Sequence, residues 1–112
     1  MELTMMEVSA WSNGRPNHQT GAGLGIRISI RDRSDYFCWK VHKVKVLLDG
    51  QSCDVKLTGG FWKSCPELRD PRIGQWLIKR RLNRWPKYHP HKLELTPCGK
   101  HLFKLFELHE KR

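Results

Sequence analysis

Two stretches in the first half of the chain alternate apolar and polar residues. In "GIRISIR", residues 25–31, three isoleucines share one face and Arg and Ser share the other. Alternation with a period of two is typical of a half-buried strand. The stretch 37–48 alternates in the same way, but its apolar set changes phase near the middle. A bulge or bend at residues 42–43 would keep both sets on the core side of one long strand.

Three further strands are predicted by the same pattern. Asp49-Gly50 is a strong signal for a hairpin turn and leads into an alternating stretch at 53–57. Near the end of the chain, "KLEL" and "HLFKLFEL" are strand patterns, and the intervening "TPCGK" predicts a turn at Gly99.

Between these groups of strands the pattern changes to that of a helix. "SCPE" resembles a capping box and predicts a short helical turn at 65–69. Asp70 as N-cap and Pro71 at the first helical position predict a longer helix over 71–83. Pro86 disfavours the helical conformation for the residue before it, so the helix should end by that point.

The order of elements predicts an α+β fold: a small antiparallel, barrel-like sheet of about five strands, with the helix at about 71–83 between strands 3 and 4. Residues 1–22 are expected to be an irregular N-terminal segment, and 23–112 a single domain. The predicted core consists of apolar residues on the inner faces of these elements: Ile26, Ile28, Ile30, Trp39, Val44, Val46, Val55, Leu57, Ile73, Trp76 and Leu77.

Charge makes this small domain a candidate for binding polyanions. The chain of 112 residues carries a formal net charge of +10, and residues 61–92 alone contribute +7 of it. A basic excess of this size favours nucleic acid or an acidic protein as a partner. No apolar run is long enough to span a membrane, and the N-terminus does not resemble a secretory signal. We therefore expect a cytoplasmic protein with reduced cysteines and no membrane partner.

The candidate nucleic-acid-binding residues lie in "WLIKRRLNRWPKYHPHK", residues 76–92. Clustered cations can neutralise successive phosphates, and interleaved aromatic rings can stack on unpaired bases. The predicted phosphate contacts are Lys79, Arg80, Arg81, Arg84 and Lys87, and the predicted stacking residues are Trp85 and Tyr88. The alternative is a solvated helix end, where basic residues are favoured by the helix dipole.

Arg80 is a special case within this stretch. On a helix beginning at Pro71 it falls on the same face as Ile73, Trp76 and Leu77. An arginine at the edge of an apolar face can extend to solvent, pair with an acid, or face a bound anion.

A different class of function would use the aromatic residues as a pocket. A small ligand or a protein partner would then be held by Trp39, Phe61, Trp62, Trp76 and Trp85, with the basic residues as a rim. Convergence of these rings on one cavity would favour that function over nucleic-acid binding.

Catalytic and metal chemistry are less favoured by the sequence. The four cysteines lack the close spacing of zinc ligands, so no metal and no cofactor are expected. Cys65 near a helix start could be reactive beside His89 or His91, but nothing in the spacing requires them to meet. "TGAGLGIR", residues 20–27, leads into a strand rather than a helix and lacks the phosphate-loop ending. The sequence thus favours a binding protein over an enzyme.

Overall fold

The computed structural model describes residues 5–108 and shows a mixed α+β fold. The elements, in chain order, are β1 (Met6–Ser12), β2 (Leu24–Arg27), α1 (Ile30–Tyr36), β3 (Lys43–Leu48), β4 (Gln51–Lys56), α2 (Gly59–Lys63), β5 (Glu67–Arg69), α3 (Pro71–Lys79), β6 (Lys92–Gly99) and β7 (Leu102–Glu107). The predicted class is confirmed.

All the strands belong to one seven-stranded sheet with the order β4-β3-β7-β6-β1-β2-β5. Neighbouring strands are antiparallel except β3 and β7, which pair in parallel. The two outer strands approach each other, and Arg72, just after β5, donates from Nη2 to the carbonyl oxygen of Asp54 in β4 at 2.9 Å. The sheet is therefore nearly closed and barrel-like, with seven strands rather than the predicted five.

The interior of this curled sheet is the hydrophobic core. Nine of the predicted core residues are buried, as expected: Ile26, Ile28, Val44, Val46, Val55, Leu57, Ile73, Trp76 and Leu77. The hairpin at Asp49-Gly50 is also confirmed, since both residues have the positive φ angles, 52° and 84°, that a tight hairpin turn requires.

The prediction of an irregular segment over residues 1–22 is wrong for β1. This strand lies between β6 and β2 and contributes Met6, Val8 and Ala10 to the core. Buried residues do alternate along β1, but the inner face includes the small Ala10, and the outer face includes the partly buried Ser9 and Trp11. The difference in hydrophobicity between the two faces is therefore too small to identify a strand from sequence.

The predicted long strand over 37–48 is wrong in its first half. Ser29 caps α1 by accepting a hydrogen bond at Oγ from the backbone N–H of Asp32, so the chain turns into a helix at Ile30. A turn at 38–41 follows, and β3 begins only at Lys43. Two predicted core residues are consequently exposed: Ile30 by 61% and Trp39 by 71%.

The predicted helical turn at 65–69 is also wrong. Helix α2 precedes it at 59–63, and residues 67–69 form β5 instead. Residues 67–69 are extended because they pair with β2. The backbone N–H of Ile28 donates to the carbonyl oxygen of Pro66, and Ile26 lies opposite Leu68 in the same antiparallel register. Cys65 therefore lies between α2 and β5 and not in the first turn of a helix.

Helix α3 begins where the sequence predicts and ends earlier. Asp70 accepts from the backbone N–H of Arg72 at 2.8 Å and also from its guanidinium, and Pro71 follows as the first helical residue. The helix ends at Lys79 instead of residue 83 because Arg80 and Arg81 leave the helical conformation.

Acid should weaken this helix start. Although burial by itself raises the pKa of Asp70, the hydrogen bonds and charge of Arg72 hold it below its usual value. A carboxylate with a lowered folded-state pKa stabilises the fold above its unfolded-state pKa, and this contribution disappears as the pH falls through the folded-state pKa.

We expect Asp70→Ala to lower the free energy of unfolding by about 1 kcal/mol at neutral pH, mainly because the helix cap is lost. The difference in stability between the variant and the wild type should become smaller in acid. Urea unfolding at a series of pH values measures this. Asp35→Asn, which removes a mostly exposed ion pair with Arg31, is the control and should change little. A stability difference between the wild type and Asp70→Ala that grows towards low pH would contradict the expectation.

Among residues 5–108, the helices are all too short or too polar to cross a bilayer.

Candidate nucleic-acid interface

The candidate site is the stretch 79–92, called here the basic segment, which leads from the end of α3 to the start of β6. Its first turn is a Schellman motif: the backbone N–H of Leu82 binds the carbonyl oxygen of Leu77 at 2.8 Å, and that of Arg81 binds Ile78 at 3.0 Å. This cap reverses the chain sharply, and Leu82 packs back on the core. The cations after the helix therefore have a defined path.

Both ends of the basic segment are fixed to the body of the protein. Near its start, Asn83 Nδ2 lies 2.9 Å from His18 Nδ1 in the loop before β2. Near its end, His91 donates from Nε2 to the carbonyl oxygen of Arg84 at 2.8 Å, and its own carbonyl accepts from Ala10 in β1. The segment is thus a closed, anchored loop, and its cations are displayed on a preformed surface.

Two residues of the basic segment adopt backbone conformations normally reserved for glycine. Arg81 has φ 59°, at the position where the Schellman motif favours glycine, and Tyr88 has φ 68° in the turn 86–89. A residue other than glycine pays about 1–2 kcal/mol there. Side chains kept at such positions at a cost to stability point to a role on the surface.

Arg80 does not face a partner with the other cations. Its guanidinium binds Asp49 in the β3–β4 turn and Glu107 at the end of β7, the latter at 2.7 Å. It also lies 4.4 Å from the centre of the Trp76 ring. Of the three possibilities raised by the sequence, pairing with acids is the one the structure shows, and Arg80 holds α3 against two strands.

The remaining cations of the segment form no ion pair with any residue between 5 and 108. They are Lys79, Arg81, Arg84, Lys87 and Lys92. Lys92 donates to Ser9 Oγ at 3.0 Å, and Lys87 lies 5.2 Å from the ring of Tyr88. The acids pair elsewhere: Glu67 with Arg27 and Arg69, and Asp70 with Arg72. The basic segment therefore carries five cations whose charge is not compensated by the described acids.

The two predicted stacking residues differ in accessibility. Tyr88 is 84% exposed. Trp85 packs partly against the core and stands edge-on to His91, with ring centres 6.3 Å apart. Tyr88 is consequently the more accessible of the two rings, whereas Trp85 is partly buried against the core.

The aromatic residues of the alternative function do not converge. A cavity of about 520 Å³ lies between α3 and the β3–β4 turn, lined in part by Leu48, Gln51, Gln75 and Lys79. Of the five aromatic residues proposed for a pocket, Trp76 lines this cavity. Phe61 and Trp62 pack on each other elsewhere in the core, and Trp39 lies on the surface.

The other candidate chemistries find no assembled site in the described structure. Within residues 5–108, no three His, Cys, Asp or Glu side chains cluster to hold a metal, and no hydrogen bond links Cys65 to His89 or His91. Burial raises the pKa of the Cys53 thiol, which keeps it protonated and unreactive. Of the glycines in 20–27, Gly21 packs on α3 and Gly25 on β5, while Gly23 lies against the side chain of Asn13.

Sequence reasoning located the cations but missed what positions them. His18 and Asn83 lie 65 residues apart, and Arg80 reaches acids 31 and 27 residues away. No local pattern indicates such contacts. The glycine-like position of Arg81 could have been inferred only if the helix end had been placed correctly.

Comparison of this chain with protein-family models, with curated proteins and with solved structures gives no match.

Proposed function

We propose that this protein is a small cytoplasmic binding module that holds single-stranded nucleic acid on the basic segment. The observation that carries the proposal is the set of cations on an anchored loop that have no acidic partner among the described residues, while Arg80 beside them pairs with two acids. Phosphates of a bound strand would supply the missing counter-charges.

The aromatic content of the segment favours single strands over duplexes. Tyr88 stands at the tip of the turn 86–89 with its ring in solvent, between Lys87 and His89. Unpaired bases can stack on such a ring, whereas bases inside a duplex cannot reach it. No base-reading motif is present, so recognition would be dominated by the backbone. The anchored loop reduces the ordering cost of binding.

Salt dependence tests this proposal directly. We expect labelled oligo-dT or oligo-U to bind at low salt, with log K falling by about 0.7 per phosphate contact for each tenfold rise in salt concentration. With four or five contacts the slope should be about −3. Fluorescence anisotropy over a salt series measures it, with a duplex of equal length as comparison. Absence of binding to both forms at low salt would end the proposal.

Tyr88 and Trp85 form a matched pair for separating binding from folding. Tyr88→Ala should weaken single-strand binding by about 1–3 kcal/mol and leave the thermal midpoint unchanged, because its ring contacts solvent. Trp85→Ala should instead lower the midpoint, since its ring is partly buried against the core. Anisotropy and thermal unfolding of both variants give the comparison. The reverse pattern would assign stacking to Trp85.

The cavity beside α3 supports a second candidate function, the binding of a small anionic ligand. Its walls combine apolar residues with polar Gln51, the cations Arg72 and Lys79, and the carboxylate of Asp49, which is itself paired with Arg80. This function would be indicated if Gln51→Leu removed ligand binding in a thermal-shift screen while Arg84→Gln had no effect.

A further inference from the structure

The far end of the β3–β4 hairpin carries an apolar groove that is separate from the basic segment. The hairpin-base groove is formed by Val41, His42, Lys43, Lys56, Leu57 and Thr58 and has a volume of about 540 Å³. The backbone N–H of Leu57 binds the carbonyl oxygen of His42 at 2.8 Å, which closes the base of the hairpin beneath it. Its walls are mostly carbon, so it suits an aliphatic or aromatic side chain.

An exposed tryptophan lies in the turn 38–41, which leads into this groove at Val41. The backbone N–H of Val41 binds the carbonyl oxygen of Cys38 at 2.9 Å, so Trp39 and Lys40 occupy the apex of the turn. Trp39 is 71% exposed, although two residues later Val41 already packs against the core. A large ring left in solvent next to an apolar groove is typical of an interaction surface, where Trp is often an energetic anchor.

The rim of the groove is positively charged in an unfavourable arrangement. Lys43 and Lys56 are directly opposite each other in the antiparallel pair, where like charges destabilise the sheet. Asp54 Oδ2 lies 3.4 Å from Lys43 Nζ and is its ion-pair partner. Lys56 has no ion pair with any residue in 5–108, and Lys40 in the neighbouring turn has its Nζ 5.5 Å from the centre of the Trp39 ring. A carboxylate from a partner placed over this rim would relieve the repulsion.

We propose that the hairpin-base groove binds an acidic peptide segment of a partner protein, with an apolar side chain in the groove beside Trp39 and carboxylates at Lys40 and Lys56. The carbon walls favour a peptide over nucleic acid, because the polar edge of a buried base would find few hydrogen-bond partners there. This function is additional to nucleic-acid binding and does not depend on it.

The two surfaces lie at opposite ends of one hairpin. Arg80 at the start of the basic segment binds Asp49 in the β3–β4 turn, whereas the groove includes His42 and Leu57 at the open end. A six-residue strand such as β3 spans about 20 Å. Substitutions in one surface should therefore not disturb the other.

The probe is a short peptide with one Leu flanked on each side by two Glu residues, which in extended form presents a Glu two residues away on the same face as the Leu. Titration of the ¹⁵N-labelled protein should shift the Trp39 indole and the backbone signals of 41–43 and 56–58. Trp39→Ala and, separately, Lys56→Glu should each reduce the affinity about tenfold. Lys56→Glu places opposite charges across the pair, so its fold should be retained.

Tyr88→Ala is the matched control, because it removes another largely exposed aromatic ring, from the other surface. It should weaken oligo-dT binding and leave peptide binding unchanged, whereas Trp39→Ala should do the opposite. The proposal is overturned if the peptide leaves these signals unmoved, if its shifts fall on 79–92, or if the Trp39 indole responds to oligo-dT instead of the peptide. Equal binding of the same peptide with Lys in place of every Glu would also overturn it, by removing the role of the cationic rim.

Discussion

The combined variant Arg81→Gly, Arg84→Gln and Lys87→Gln is expected to bind single-stranded DNA about 100-fold more weakly than the wild type at about 0.1 M salt. Each phosphate contact contributes about 0.7 to the log–log salt slope, which at this salt concentration corresponds to about fivefold in affinity. Three lost contacts multiply to about 100-fold and should also flatten the slope by about two. Anisotropy across a salt series measures both quantities.

The same variant should fold at least as stably as the wild type. Arg81 holds a φ of 59°, and glycine at that position removes a penalty of about 1 kcal/mol. Arg84 and Lys87 are exposed and have no ion pair with the described residues. A loss of binding accompanied by unchanged or improved stability in urea would separate the function of these cations from folding.

A charge-matched control distinguishes a local surface from diffuse attraction. Lys45, Lys63 and Lys100 are exposed on other parts of the fold. Replacing all three by Gln makes the same change in net charge and should reduce affinity only slightly. If this control loses as much affinity as the combined variant, binding follows the net charge of the protein and the basic segment has no special role.

Gly74→Ala is expected to have the largest effect on stability, a loss of about 2 kcal/mol or more. A β-carbon on Gly74 would overlap the carbonyl oxygen of Gly21 and lie 2.6 Å from its Cα. The two backbones are in direct contact, because a β-carbon on Gly21 would in turn meet backbone atoms of Pro71 and Gln75 in α3. Neither backbone can move aside as a flexible side chain could. The better helix propensity of alanine offsets only about 1 kcal/mol of this cost.

Gly59→Ala is the control for helix propensity. Gly59 opens α2, and a β-carbon there would meet nothing within 4 Å, so the substitution should be neutral or slightly stabilising. Denaturant unfolding of both variants gives the comparison. A Gly74→Ala protein as stable as the wild type would show that the loop before β2 does not pack on α3. That packing also places His18 against Asn83, so oligonucleotide binding should weaken in the same variant.

The sequence predicts those parts of the fold in which apolar and polar residues alternate fully over a short stretch, or in which neighbouring residues together mark the start of a helix. The stretch around Val44 and Val46 alternates fully, so β3 is predicted. The start of α3 is predicted because Asp70 is a good N-cap and the proline ring of Pro71 fixes a φ angle suited to the first helical residue. Strand β1 is missed because its outer face includes Trp11, which is apolar but covered by the guanidinium of Arg69.

The helix α1 is missed for a different reason. Ile28 and Ile30 continue the alternation of β2, and a single hydrogen bond, which Ser29 Oγ accepts from the backbone N–H of Asp32, redirects the chain between them. Pattern reading weighs the periodicity of the run more than one capping residue. Similarly, the positions of the basic residues are readable from sequence, but whether each is paired depends on acids brought near by folding, as the contrast between Arg80 and Arg81 shows.

Strand β7 is the last described strand to leave the ribosome, yet it lies between β3 and β6 near the middle of the sheet. Until it arrives, the nascent chain holds the β3–β4 hairpin apart from the group formed by β6, β1, β2 and β5. Both groups then present unpaired edges, which are the usual route to intermolecular strand pairing. Completion of the barrel must therefore wait for the synthesis of β7, and slow synthesis of that segment would prolong the aggregation-prone interval.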